Sequence, residues 1–305
     1  MTKPKAIILM GPTASGKTQL AVQLAKKTGG EIISADSRQV YKSMDIGTGK
    51  DLNEYGCVPY HLIDVVEAGK EFSVSDFQKL AWQVLVELKG RSVIPILCGG
   101  TGHYVKSLID DYQFTHKKSD LLYTLQLEAK PAAYLHQKLK DLGLWEAHHW
   151  ENDSKRRMAR AIEKQIRVDK PLTTFPSFKS TFDYRIFYTS TNRKDLKKRI
   201  TTRLIHRLKE GMVKETQELL DRGMSHARLE RYGLEYKFLS RFIRGEISED
   251  QLIEKLTVEI SRFAKRQMTF IRYMEKNGHK MIPIKNFDEL WSHVSQWVGE
   301  RFLKV

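Results

Sequence analysis

IILMGPTASGKTQLAVQLAK, residues 7–26, decides how the rest of the chain is read. Its apolar start has the composition of a buried strand. The segment after Gly16 puts Leu20 and Leu24, then Ala21 and Ala25, on adjoining stripes at helical spacing. Between them GPTASGKT fits the pattern GxxxxGK[ST], with Gly11, Gly16, Lys17 and Thr18 at its fixed positions. The glycines let backbone N–H groups turn inward, and the start of a helix adds a favourable dipole. Gly11, Pro12, Thr13, Ala14, Ser15, Gly16, Lys17 and Thr18 are therefore expected to cradle a diphosphate or polyphosphate. Lys17 supplies a point charge to outer oxygens, and the Thr18 hydroxyl can ligate Mg²⁺. The pattern speaks for phosphate and is silent on the reaction. Such a cradle can hold ATP for phosphoryl transfer, or hold pyrophosphate as a leaving group while carbon goes elsewhere.

Outward from this stretch, EIISAD (31–36) reads as a second strand ending in a polar loop, and SVSDFQKLAWQVLVELKG (73–90) as a helix capped by Ser73 or Ser75. SVIPILCGGTG (92–102) reads as a further buried strand breaking into a glycine turn. Strands alternating with helices across short connections predict a P-loop NTPase-like α/β fold, a parallel sheet with helices on both faces. From Tyr112 to Ser180 no buried strand is expected. LLYTLQLEAKPAAYLHQKLKDLGLWEA and NDSKRRMARAIEKQIRV read as helical, and DKPLTTFPSFKST as a loop. YRIFYTST (184–191) returns as a strand, and from Arg193 the pattern is helical, basic and rich in aromatics. The expected organisation is a core of residues 1–111 and 181–305 carrying a helical C-terminal part, with a helical insertion domain at 112–180.

Composition bounds the partner. Lys+Arg number 52 against 37 Asp+Glu in 305 residues, a formal net charge of +15. That excess points to a polyanion, nucleic acid or a membrane surface, with a merely solvated basic surface as the bland alternative. Cys57 and Cys98 lack any metal-ligand spacing, so neither a disulfide framework nor a zinc site is expected. No run approaches eighteen apolar residues, and Ala6–Met10 is too short for a secretion signal. The expected location is the cytoplasm, with no membrane contact.

A motor ATPase would show a second apolar strand ending in a Mg²⁺-supporting Asp. VIPILCGGTG ends in glycines and Thr101 instead, and HLIDVV offers only Asp64. Asp36 stands where the second strand should end, at the carboxyl edge where such folds bind ligands. A carboxylate there can accept a proton or hold metal-bound water, and equally can form an Asx turn. RITTRLIHRL places Arg199, Arg203 and Arg207 on one helical face. RFAKRQMTFIRY mixes Arg262, Lys265, Arg266 and Arg272 with Phe263, Phe270 and Tyr273, a plausible RNA face. Phe263 and Phe270 suit the core side of an amphipathic helix better.

The chain resembles the tRNA dimethylallyltransferase (tRNA isopentenyltransferase) family. GPTASGKT, ISADSRQVYKSMDIGTGK, VPYHLIDV, FSVSDF, PILCGGTGHYVKSL, NDSKRRMARAIE and FAKRQMTFIRY stand in the family's order from one end of the chain to the other. The resemblance implies that the cradle holds the pyrophosphate of dimethylallyl diphosphate, with Mg²⁺. The acceptor is then the exocyclic amine of the adenosine 3′-adjacent to the anticodon, in a tRNA anticodon stem-loop. It implies Asp36 as general base, Thr101 beside the bridging oxygen and reacting amine, and Arg203 reaching the pyrophosphate. Ser37, Arg38 and Gln39 match the loop that holds the nucleotide, and Arg156, Arg157 and Arg160 the tRNA-contacting helix of the insertion. His103-Tyr104 replaces the Leu-Tyr that commonly follows GGTG, the insertion is shorter than in many members, and RYGLEYKFL replaces a more usual GYxE stretch. Nothing demands more than a monomer. An adenylate isopentenyltransferase, a P-loop nucleotide kinase and a non-catalytic RNA-binding protein are the alternatives. The basic excess argues against the first, since a free nucleotide needs no extended basic surface.

Overall fold

A computed structural model describes residues 2–114, 121–146, 150, 153–166 and 175–299. β1 (Lys5–Met10) leads through the cradle into α1 (Lys17–Thr28), β2 (Glu31–Ser34), β3 (Tyr60–His61), α2 (Val74–Gly90), β4 (Pro95–Gly99) and α3 (Gly102–Ile109). Three helices follow: α4 (Leu121–Glu128), α5 (Ala132–Asp141) and α6 (Lys155–Ile166). A short α7 (Phe178–Thr181) then leads to β5 (Asp183–Thr189). The helices α8 (Arg193–Lys209), α9 (Met212–Asp221), α10 (His226–Tyr232), α11 (Leu234–Ile243) and α12 (Glu249–Lys276) precede β6 (Met281–Ile284) and α13 (Phe287–Val298).

All six strands are parallel, in the order β3-β2-β4-β1-β5-β6. The parallel α/β fold expected from the sequence is therefore the fold found. β1 is central, with Ile8 opposite Leu97 on one side and Ile186 on the other. Its side chains alternate between two cores, as a strand's period of two requires. Ala6, Ile8 and Met10 join Phe77, Trp82 and Leu85 of α2 and Val105 and Leu108 of α3. Ile7 and Leu9 join Ala21 and Leu24 of α1 and Leu290 and Val294 of α13. Burying a side chain of that size fully is worth roughly 1.5–3 kcal/mol, so the unbroken apolar run of β1 is what a strand covered on both faces needs.

Of the two serines offered as cap, Ser73 caps α2. Its hydroxyl accepts from the Asp76 N–H at 3.2 Å, and the Asp76 carboxylate accepts from the Ser73 N–H at 2.8 Å. Three readings need correction. Residues after Arg193 are not helical throughout, because MIPI forms β6 beside β5. Four residues are too few to show a period, and Pro283 is tolerated because β6 is an edge strand. β3, two residues long, gave no signal at all. Phe178–Thr181 is a helix rather than loop, and Phe178 is fully buried against Trp82. Residues 169–174 of the expected loop, with Ala147, Asn152, Arg167 and Val168 at the ends of expected helices, lie outside the described residues.

The chain forms two compact units, Met1–Tyr112 with Phe175–Val305, and Gln113–Thr174. The second has its own small core of Leu127, Leu135, Leu139, Trp150, Met158 and Ile162. Inside it the Thr124 hydroxyl donates to Glu163 at 3.0 Å and the Trp150 indole to the Leu144 carbonyl at 2.7 Å. Among the described residues no helix is long and apolar enough to cross a membrane.

Candidate active site

The carboxyl ends of β1, β2, β4 and β5 lie side by side, and the loops leaving them make the site. The cradle forms as its sequence requires. Gly16 has φ +83° at the entry to α1, and a Cβ on Gly11 would fall 2.0 Å from the Thr189 hydroxyl. That hydroxyl donates to the buried Ser15 at 2.7 Å, so Ser15 faces the protein and only its backbone belongs to the cradle. The first N–H groups of α1, those of Lys17 and Thr18, have no helical partner behind them and face an incoming anion. The Thr13 N–H is already engaged. It donates to the Gln267 side chain on α12 at 2.8 Å, and Gln267 donates in turn to the Gly100 carbonyl at 3.1 Å.

Arg203 reaches across from α8 and donates to the Thr13 hydroxyl. One turn on, Arg207 is buried and forms a two-pronged pair with Asp51 at 3.0 and 2.7 Å. Arg199 of the same stripe is exposed. Burial pulls Arg203 down to about 10, with Arg207 pushing the same way. Burial likewise lowers Lys17, reinforced by Arg203 and Arg207 and opposed by Cys98 and Asp36. Lys17 and Arg203 thus lie partly desolvated, and neighbouring cations add to the cost of charging each. A bound polyanion relieves that repulsion.

The turns after β2 and β4 bring a carboxylate and a hydroxyl to the same mouth. Asp36 follows β2, half-buried, and its carboxylate accepts from the Arg38 N–H at 2.9 Å, so the Asx turn and the carboxylate at the sheet's carboxyl edge are the same residue. The Thr101 hydroxyl accepts from the Ser37 N–H at 3.0 Å and lies 3.3 Å from the Ser37 hydroxyl. The turns after β2 and β4 are thereby tied together. Arg38 lies over the Phe263 ring at 5.8 Å, with Glu235 at 3.6 Å. Gln39 points inward: its amide accepts from the Ser34 hydroxyl at 2.8 Å and donates to the Gly49 carbonyl at 2.9 Å. It shapes the loop and is not open to a ligand. Asp64, with Asp45, pairs with the buried Lys50, and so serves structure.

The fold brings the cradle, Asp36, Ser37, Arg38, Thr101 and Arg203 together at one sheet edge. Arg156, Arg157 and Arg160 belong to the other compact unit. There Met158, Ala159 and Ile162 turn inward and the three arginines face solvent, Arg157 pairing with Asp153 at 2.9 Å. Phe270 packs on the main core beside His103, their ring centres 4.7 Å apart. Phe263 does not follow it into the core, lying half-buried under Arg38 and Arg266. Gln267, Arg207 and Asp51 went unread as site residues. Only Arg207 gave a signal, its spacing from Arg203.

No group of three or more His, Cys, Asp or Glu among the described residues could hold a metal ion by itself. Thr18, half-buried at the start of α1, fits a different donor set. One hydroxyl, substrate phosphate oxygens and water suit an ion that arrives with a diphosphate.

Sheet order, cradle and facing carboxylate define a P-loop α/β enzyme that binds a phosphorylated substrate at the carboxyl edge of its strands. Comparison with known proteins narrows this. A family model described as IPP transferase matches residues 39–274. The tRNA dimethylallyltransferase 2 of Shewanella sediminis is 43% identical over 298 residues, 96% of this chain and 97% of that protein. Among solved structures, the tRNA isopentenylpyrophosphate transferase of Bacillus halodurans matches with a TM-score of 0.71 and 33% identity, covering 97% of this chain and 96% of that one. The tRNA delta(2)-isopentenylpyrophosphate transferase of Staphylococcus epidermidis matches with a TM-score of 0.69 and 32% identity, over 97% and 99%. The chain belongs to the IPP transferase family and is a transferase.

Proposed function

We propose that this enzyme transfers a dimethylallyl group from dimethylallyl diphosphate to the exocyclic amine of the adenosine 3′-adjacent to the anticodon in tRNA, releasing pyrophosphate. The observation that carries the reading is the polarity of the site. Lys17, Arg203 and Arg207 converge at one wall, and a carboxylate and a hydroxyl stand at the other. A leaving group that gains negative charge belongs at the first wall, and an amine that must lose a proton belongs at the second.

In the reaction the allylic C–O bond breaks and its electron pair leaves with pyrophosphate. The adenine nitrogen forms the new bond to carbon and gives its proton to the Asp36 carboxylate. Donors aimed at developing charge are each worth roughly 10²–10³ in rate, which is the part assigned to the cradle N–H groups, Lys17 and Arg203. A positioned base contributes on the order of 10²–10⁴. Thr101, fixed by Ser37 beside Asp36, would orient amine and bridging oxygen. Thr18 would help hold Mg²⁺, which would neutralise charge on the departing pyrophosphate. A base inside a stacked loop cannot reach this edge, so the adenosine must be turned out of its stack. Ser37 and Arg38 then hold the nucleotide, and Arg156, Arg157 and Arg160 of the helical insertion unit contact backbone phosphates of the anticodon stem-loop. The protein is expected to act as a monomer in the cytoplasm.

The test is single-turnover transfer from labelled dimethylallyl diphosphate with Mg²⁺, offering unmodified tRNA or AMP. Label should enter tRNA alone. Label entering AMP would make the protein a free-nucleotide prenyltransferase, and label entering neither would overturn the reading.

A further inference from the structure

The loop between β2 and β3 carries Asp36, Ser37 and Arg38, yet residues 36–51 have no helix or strand of their own. Ser37 is tied to Thr101, and Val40 and Lys42 bond to the backbone of Val65 and Val66, which leaves the middle of the loop to be fixed. At the middle of this loop the N–H groups of Asp45, Ile46 and Gly47 turn toward one point. Three successive inward N–H groups make a concavity that binds an anion. The anion is the protein's own. Glu215, on α9, accepts from Asp45 and Ile46 at 2.7 Å each and from Gly47 at 2.9 Å. The Tyr236 hydroxyl on α11 donates to the same carboxylate at 2.7 Å.

The neighbouring residues support that arrangement. Tyr236 is fully buried, and burial with the adjoining Glu215 holds its hydroxyl far above the usual phenol range, as a donor. A Cβ on Gly47 would stand 2.6 Å from the Tyr236 ring, so the loop can approach only as glycine. The residue before Tyr236, Glu235, is the acidic partner of Arg38 at 3.6 Å. A Cβ on Gly233 would overlap the Arg38 guanidinium. Gly233, Glu235 and Tyr236 all lie in RYGLEYKFL, the stretch that departs from the family pattern. This stretch meets the loop at Arg38, through Glu215, and at Tyr41, whose ring centre lies 4.6 Å from that of Tyr232.

We infer that Glu215, seated in the amide concavity of Asp45–Gly47 and bonded by Tyr236, is a positioning residue that sets where Asp36 and Arg38 stand. The inference rests on the proposed reaction for its kinetic consequence, but the anchoring itself does not. Because the diphosphate is held by the cradle between β1 and α1 and by Arg203 of α8, loss of Glu215 should leave that substrate's binding alone. The acceptor side should suffer.

Glu215→Ala should slow single-turnover transfer by about 10²-fold, the cost expected when reacting groups move by an ångström, and raise KM for tRNA. KM for dimethylallyl diphosphate should stay within about twofold. Acetate or formate, small enough to enter the vacated concavity, should restore transfer in Glu215→Ala, while equal ionic strength of chloride should not. Tyr236→Phe, which removes one donor of four, should cost roughly fivefold. Hydrogen exchange at Asp45–Gly47 reads the anchor without any turnover: slow in the parent protein and fast in Glu215→Ala. Exchange unchanged in the variant would overturn the inference. So would fast exchange with the parent's transfer rate, or a loss confined to diphosphate KM. If the parent enzyme itself modifies no tRNA, the proposed reaction fails, and exchange still decides the anchor.

Discussion

Arg203 and Arg207 on α8 and Arg156, Arg157 and Arg160 on α6 are one side chain in two circumstances. The first pair is held in partly or fully buried positions beside Lys17, where burial disfavours the charge of Arg203 and of Lys17 and Asp51 pairs with Arg207. The other three stand in solvent on a helix whose opposite face fills a small core. The first arrangement is costly in the free protein and makes sense only for a ligand that brings negative charge into the mouth. The second costs little, and its attraction for a polyanion is screened by salt. On the proposed reaction, one charge type would serve two tasks: chemistry on a leaving group, and capture of a large substrate.

The largest effect should come from the wall opposite the buried cations. Asp36→Ala should cut kcat by about 10²–10⁴ with tRNA affinity nearly intact, read by single-turnover transfer and filter binding. Unchanged turnover would remove Asp36 as base. Arg203→Ala should follow, lowering the chemical step by about 10²–10³ while leaving the salt dependence of tRNA binding as it was. A change confined to that salt dependence would place Arg203 with the exposed set and erase the distinction. Arg156→Ala with Arg160→Ala should flatten the slope of log affinity against log salt by about two units and spare diphosphate KM. If only diphosphate affinity fell, the insertion would not be an RNA face.

The smallest effect concerns stability. Lys17 has a lowered pKa in the folded protein against an ordinary 10.5, so between those values the unfolded chain binds more protons. Stability should therefore rise with pH across that window, and the penalty should be fully present below it. Lys17→Met, with no ligand bound, should melt at a higher temperature than the parent at neutral pH. The gap should shrink as pH climbs past the lowered pKa, as melting curves at several pH values would show. Diphosphate binding to the parent should weaken over the same range, because the lysine then loses its charge.

Much of this was legible in the sequence, and the exceptions have physical causes. β1, β2 and β4 could be read because unbroken apolar runs ending in glycine or polar turns have few other solutions in a parallel sheet. Asp36 and Thr101 could be found because each follows such a run. β3 and β6 escaped because two and four residues at a sheet edge carry neither length nor period. Phe263 was expected in the core on helical spacing, but spacing does not say that Arg38 covers the ring from another loop. Gln267 joins two loops that lie 254 and 167 residues away in sequence, and Glu215 anchors a loop 168 to 170 residues away. Gln267 lies within FAKRQMTFIRY, but nothing in that block points to its partners, and Glu215 lies in no quoted motif. A polar side chain whose partners are distant backbone groups leaves no local trace.

The central claim is that the cationic mouth holds a leaving group while carbon moves. Dimethylallyl diphosphate labelled separately in its allylic carbon and its terminal phosphorus, in one turnover with unmodified tRNA, tests it most directly. The account predicts carbon label on the RNA and all phosphorus label in free pyrophosphate. Phosphorus on the acceptor, or carbon left in dimethylallyl monophosphate while phosphate is released, would contradict it.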